Sequence, residues 1–217
     1  MESSFLIDSF QPLDEETFLT LQQALVSYIQ SEYVLGSAEA DATCKPMHLS
    51  RFLAHSIHPV LRNKFSHTLT LFFLCTYMQQ WPSFFFDLFT LIRPTDGSSQ
   101  LSFNRHISLL FFHIVLEISG EVADQMIKSA RPYDADRHTR DARVRDAVRE
   151  RDAARINEAV LTLVAEGSER MSILRKREDS SEMSRELDGA IEVVDWGIRT
   201  FGSYVGKPFS CSNAYPG

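Results

Sequence analysis

Apolar residues recur at steps of three and four along nearly the whole chain, and strand-like alternation is almost absent. The clearest run is Leu187, Ile191, Val194, Ile198, Phe201 and Val205, which alternates steps of four and three. Such spacing places side chains on one face of a helix, so the chain is constrained to amphipathic helices that must bury their faces against one another. Phe18, Leu21, Leu25, Tyr28 and Ile29 form a similar stripe behind Asp14, an expected N-cap, with Glu15 and Glu16 in the first turn. That helix is predicted to end at about Tyr33, near Gly36. From Leu61 to about Gln80 a second helix carries Phe65, Leu69, Phe72, Phe73 and Leu74 on its apolar side.

The stretch QQWPSFFFDLFTLI (79–92) reads as a turn between two helices. Pro82 fits the first turn of the third helix, where its missing N–H costs nothing. Phe85, Phe86, Leu88, Phe89 and Ile92 then cover most of that helix's circumference. A helix that is apolar nearly all round belongs in an inner layer. The Phe84–Phe86 cluster could form a docking groove, but core packing is the expected role. Residues 93–100 are loop-like, and a fourth helix is predicted from about Ser102 to Ile118. GEVADQMI is expected to add a short turn of helix, and RPYDADR breaks the pattern. One or two helices are expected over 138–167. Residues 167–184 are polar and are expected to form a mobile connection before the last helix.

Helix pairs in series predict an all-α fold, an α-solenoid of helical hairpins. The organisation expected is one helix of an early repeat at 1–36, an irregular insert at 37–60, repeats at 61–205 and an unstructured tail at 206–217. The expected core includes Phe65, Leu69, Phe72, Trp81, Phe85, Phe86, Phe89, Ile191, Val194, Ile198 and Phe201.

Charge and composition remove several function classes. Net charge is −7, so a nucleic-acid partner must be held by a local patch or by parts outside this chain. No apolar run approaches the roughly 20 residues needed to cross a bilayer, so no membrane insertion is expected. The start MESSFLIDSF lacks a basic n-region and a long apolar core, which predicts no secretory signal. Three cysteines with no regular spacing fit a reducing compartment. Cys44, His48, His55 and His58 match no common zinc spacing, so no metal is expected. No phosphate-cradling glycine loop and no nucleophile–base motif occurs, which argues against an enzyme. His67, His106 and His113 are expected to be packed or surface residues. Between Arg131 and Arg155 the chain holds eight arginines and six acids. These could contact phosphate or an acidic partner, but a solvated helix face laced with i,i+4 pairs is the plainer expectation. Arg149, Arg151 and Arg155 are the candidate contacts there. Arg62 and Lys64 are the candidates upstream, with a capping or inter-repeat role equally expected for them.

LRNKFSHTLTLFFLCTYMQQWPSFFFDLFTLI (61–92) resembles the exportin-type segment of the importin-β-like karyopherins, with an Arg-Asn-Lys opening, an apolar helix, Trp-Pro-x-Phe-Phe and an Asp-Leu helix. The Phe-Phe-Phe-Asp version at Phe84–Asp87 is similar to the exportin-T branch, which exports tRNA. Residues 13–33, 143–160 and 193–205 resemble other repeats of that branch, in collinear order and with a fungal flavour. The resemblance implies HEAT repeats and an early portion of a longer solenoid. It implies a nuclear export receptor without chemistry of its own, shuttling through the nuclear pore between nucleus and cytoplasm. The implied partners are Ran-GTP, tRNA and nuclear pore proteins. The implied cofactor set is none, with GTP entering only through bound Ran. A karyopherin carrying protein cargo and a non-transport helical scaffold are the alternatives. About Cys44–Val60 and from Gly206 the resemblance fails. Both segments open alike, CKP and GKP, and their codons can contain the intron start GTAAG, so translated intron is expected in both. A truncated, uncapped solenoid is expected to aggregate or to bind partners poorly.

Overall fold

The computed structural model describes residues 13–35, 59–93, 104–123, 135–176 and 181–201, and no strand occurs among them. The helices are α1 (Glu15–Ile29), continued by a π-helical stretch (Gln30–Leu35), then α2 (Pro59–Thr76), α3 (Phe84–Ile92), α4 (Arg105–Ala123), α5 (Ala135–Arg151), α6 (Ala153–Leu174) and α7 (Ser181–Phe201). The fold is all-α, an α-solenoid of HEAT-like helical hairpins.

Local chemistry sets the starts. Asp14 Oδ1 accepts the Thr17 N–H at 2.8 Å, capping α1. Asn104 Oδ1 accepts the N–H groups of His106 (3.0 Å) and Ile107 (3.3 Å), capping α4 a little beyond the predicted start. The Asn104 amide also donates to the Tyr33 carbonyl at 3.1 Å, tying α4 to the π-helical stretch. The Trp-Pro turn is closed by the Thr76 carbonyl, which accepts the N–H groups of Gln79, Gln80 and Trp81. Trp81 Nε1 (2.7 Å) and Ser83 Oγ (3.0 Å) donate to Asp87 Oδ2, fixing the entry into α3.

The core centres on α4, which packs against α2, α3, α5, α7 and the π-helical stretch. Ile107, Leu109, Leu110, Phe111, Phe112, Ile114, Val115 and Ile118 are all buried, so α4 is the helix that is apolar nearly all round. The expectation had given that place to Phe84–Ile92. In the structure α3 is only nine residues long, with Phe84, Phe85 and Leu88 buried but Phe86 60% exposed. A short helix at the edge of the stack has one covered face. Aromatic rings fill the seam between α1, α2 and α3: Phe18 meets Phe72 and Trp81, and Phe73 meets Tyr77, Phe84 and Phe85. Leu69, Trp81 and Phe85 are buried, while Phe65, Phe72 and Phe89 are half-buried against the core.

The helical turn expected after Ile118 is present as the continuation of α4 to Ala123, where the described residues stop, and the one or two helices expected over 138–167 are two, broken at Asp152. One further expectation is corrected. Residues 167–184 are not a mobile polar connection as a whole, because α6 runs to Leu174 and α7 begins at Ser181. Residues 1–12 and 202–217 lie outside the described residues, as does most of the predicted insert. The insert's last two positions, Pro59 and Val60, open α2.

The face of α7 is the largest correction. Ile191 (41%), Ile198 (63%) and Phe201 (39%) are exposed, not core, and Val194 is half-buried. The buried face is Gly189, Ala190, Val193, Gly197 and Thr200. Small residues let α7 approach α4 and α6 closely. A Cβ on Gly197 would sit 2.3 Å from Val164 Cγ2 and 3.1 Å from Phe112 Cζ. Gly197→Ala is therefore expected to destabilise by about 1–3 kcal/mol despite the better helix propensity of alanine. Chemical denaturation checks this, and adding Val164→Ala should recover part of the loss.

Candidate functional site

The polar residues brought together from distant parts of the chain lie where α2, α4 and α7 meet. Glu192 on α7 receives two arginines. Arg105 Nε and Nη2 approach Glu192 Oε2 at 3.1 and 2.5 Å, and Arg62 Nη1 stands 3.8 Å from Oε1. Arg105 lies across Gly189, whose missing side chain leaves room for it. The Arg62 side chain is only 12% exposed, and burial holds its pKa below the ordinary arginine value, opposed by Glu192. Its Nε has no hydrogen-bond partner among the described residues.

Next to this cluster, His113 of α4 is 7% exposed and packs on Trp196 of α7, ring centroids 4.3 Å apart. The Arg199 guanidinium also lies near the Trp196 ring, 5.2 Å from its centroid. Burial, and then the Arg62 charge, hold His113 down to about 4, so the imidazole is neutral at physiological pH. Its Nε2 has no hydrogen-bond partner among the described residues. His113 and Trp196 open onto a cleft of about 630 Å³, further lined by Asn63, Leu116, Glu117, Gly120 and Glu121. His67 Nδ1 is 3.3 Å from Glu117 Oε2 at its edge.

The five cations singled out from the sequence do not converge. Arg62 belongs to the buried cluster just described. Arg151 is a clamp: its guanidinium lies 4.9 Å from the Tyr77 ring centroid and donates to the Pro82 carbonyl at 2.8 Å. Beside it, the Tyr77 hydroxyl donates to the buried Asp152 carboxylate. Arg149 is half-buried, while Lys64 and Arg155 are exposed. Ion pairs in α5 include the adjacent residues Arg140–Asp141 (3.0 Å) and Arg145–Asp146 (2.9 Å), and an i,i+4 pair occurs in α7, between Asp195 and Arg199.

Glu192, Arg105, Trp196, Glu117 and Glu121 were not singled out from the sequence. Arg105 and Glu192 are 87 residues apart, and no local spacing signals such a meeting. No helix among the described residues is long and apolar enough to cross a membrane.

Comparison with known proteins places these observations in a family. Residues 58–205 match the family described as exportin 1-like protein. The chain is 69% identical over 202 residues to an exportin-T from Laccaria bicolor, covering 93% of this chain and 17% of the relative. It is 65% identical over 202 residues to an exportin-T from Coprinopsis cinerea, with the same coverage. An exportin-T from Phaeosphaeria nodorum is 26% identical over 127 residues, 58% of this chain and 10% of the relative. No solved structure matches significantly. The chain thus spans 17% of the length of the first two relatives.

Proposed function

The chain belongs to the exportin 1-like protein family, and from that premise we propose that it is part of a nuclear export receptor for tRNA. In this reading tRNA and Ran-GTP bind the superhelix together in the nucleus, each raising the other's affinity. The receptor passes the nuclear pore by contact with pore proteins, and GTP hydrolysis on Ran in the cytoplasm releases the load. The receptor itself performs no chemistry and needs no cofactor. A solenoid suits the task because small rotations between neighbouring repeats add up to a large change in curvature.

The observation that carries this reading is the 69% identity to an exportin-T over 93% of the chain. At the residue level, Lys64 and Arg155 are the better candidates for tRNA or Ran contact, because they are exposed. Arg62 and Arg151 are engaged within the fold, and Arg149 is half-buried. The test is co-precipitation of labelled tRNA by a full-length protein containing this segment, with Ran-GTP, with Ran-GDP and without Ran. Ran-GTP is expected to raise tRNA retention by about tenfold, within the usual range of coupling between sites. Equal retention in all three arms, or capture of Ran-GTP indifferent to tRNA, would overturn it.

A further inference from the structure

We infer that the outward face of α7 is a docking seam for a further amphipathic helix of the same polypeptide, one that lies outside the described helices and carries lysine or arginine along one edge of its apolar stripe. Leu187, Ile191, Val194, Ile198 and Phe201 run along α7 at steps of four and three, the spacing of a seam that packs against a second helix. Ile191, Ile198 and Phe201 are exposed, while Leu187 and Val194 are half-buried. α4 and α6 occupy the other side of α7, at Gly189, Ala190 and Gly197. The stripe continues onto α6. Val164 faces Gly197 and Gly167 faces Val194, so α6 and α7 run antiparallel and the exposed Leu161 stands at the level of Phe201. Scattered exposed apolar side chains are ordinary, but a contiguous row of them marks an interface.

Charge and chain length select the occupant. Asp188 and Asp195 are exposed one heptad apart, and the helical register puts both on the same edge of the stripe. Asp195 pairs with Arg199 at 2.9 Å, whereas Asp188 has no ion pair among the described residues. A second copy of α7 laid antiparallel on the first would set this acidic edge against itself, and like charges brought together oppose association. A membrane-surface helix carries lysines or arginines beside its stripe, and a phosphate backbone finds no donor in an apolar row. A helix that is apolar along its centre and basic along the edge facing Asp188 meets each feature. The polypeptide itself is the source, because this chain spans only 17% of the length of the first two relatives and α7 already packs on α4 and α6 by the same helix-on-helix contact. The seam rests on family membership and not on the tRNA reading.

Hydroxyl-radical footprinting of an unmodified full-length protein containing this segment tests the seam without a substitution that disturbs folding. Modification of Ile198 and Phe201 is read by mass spectrometry in native and urea-unfolded protein. No tRNA or Ran is present, so the outcome is separate from that of the co-precipitation. Ile198 should be modified about tenfold more slowly in the native protein, as for a side chain in a close-packed core. A native rate close to the unfolded one is what a 63% exposed side chain gives, and it would overturn the inference. So would protection that disappears on strong dilution, because the occupant would then be a second copy or another protein. In the full-length protein Asp188→Lys should raise Ile198 modification about threefold, as an attractive contact becomes a repelling one. Glu16→Lys, at an exposed acid on α1, should leave it unchanged. An unchanged rate in Asp188→Lys, or an equal rise in both variants, would overturn the basic edge assigned to the covering helix.

Discussion

Phe112→Ala is expected to cost about 3–5 kcal/mol, a large fraction of the stability of an ordinary domain. Phe112 is fully buried on α4, the helix against which α2, α3, α5 and α7 all pack. Its ring lies against the Gly197 position, where α7 comes closest. The glycine has no side chain to move into the gap, so truncation leaves a cavity that the backbone must close or tolerate. For a chain of this size the melting temperature should fall by roughly 10–15 °C. Phe86→Ala is the matched control, because the same residue type there is 60% exposed and its removal should change stability by less than about 0.5 kcal/mol. Urea denaturation of both variants decides the matter. Comparable losses would mean that α3, not α4, organises the stack.

The second large effect is acid sensitivity. His113 has its folded pKa lowered from 6.5 to about 4, chiefly by burial and next by Arg62. Above pH 6.5 the residue is neutral folded and unfolded, and its burial costs nothing in protonation. As pH falls from 6.5 toward 4 the unfolded chain takes up a proton that the folded one refuses, so stability drops. Below 4 both forms are protonated and the loss levels off. The full difference is about 3 kcal/mol at 1.36 kcal/mol per pKa unit. In His113→Gln the decline across this window should be smaller by about that amount. Parallel pH profiles for the parent and the variant would show that His113 is hydrated or already charged in the folded state.

Much of the architecture was legible because helices announce themselves locally. The Asp14 cap, the Trp81–Pro82 turn and the apolar run in α4 need only neighbours within a turn or two. What escaped depends on partners far along the chain. Periodicity marks large apolar side chains, and on α7 it marked Ile191, Ile198 and Phe201. Burial there instead follows Gly189, Ala190, Val193 and Gly197, because a close helix approach needs small residues and Phe112 already fills the space. The same limit applied to the polar site. Arginines between 131 and 155 drew attention by density, yet Arg151 is spent on Tyr77 and Pro82. The cleft's residues come from three helices, with nothing in local sequence to link His113 with Trp196 or Arg62 with Glu192. Among the eleven expected core residues, Phe65, Leu69, Phe72, Trp81, Phe85 and Phe89 lie in or against the core, Val194 is half-buried, and Phe86, Ile191, Ile198 and Phe201 are exposed.

The pairing of Arg105 with Glu192 has a consequence for how the chain is made. These residues are 87 positions apart, and at the usual pace of synthesis the second emerges on the order of ten seconds after the first. Until then α4 has no α7 to cover Phe112, and two guanidinium groups wait without their shared carboxylate. The nascent segment therefore spends that interval with its central, most deeply buried helix half-clothed, at the ribosome, where molecular chaperones would meet it first.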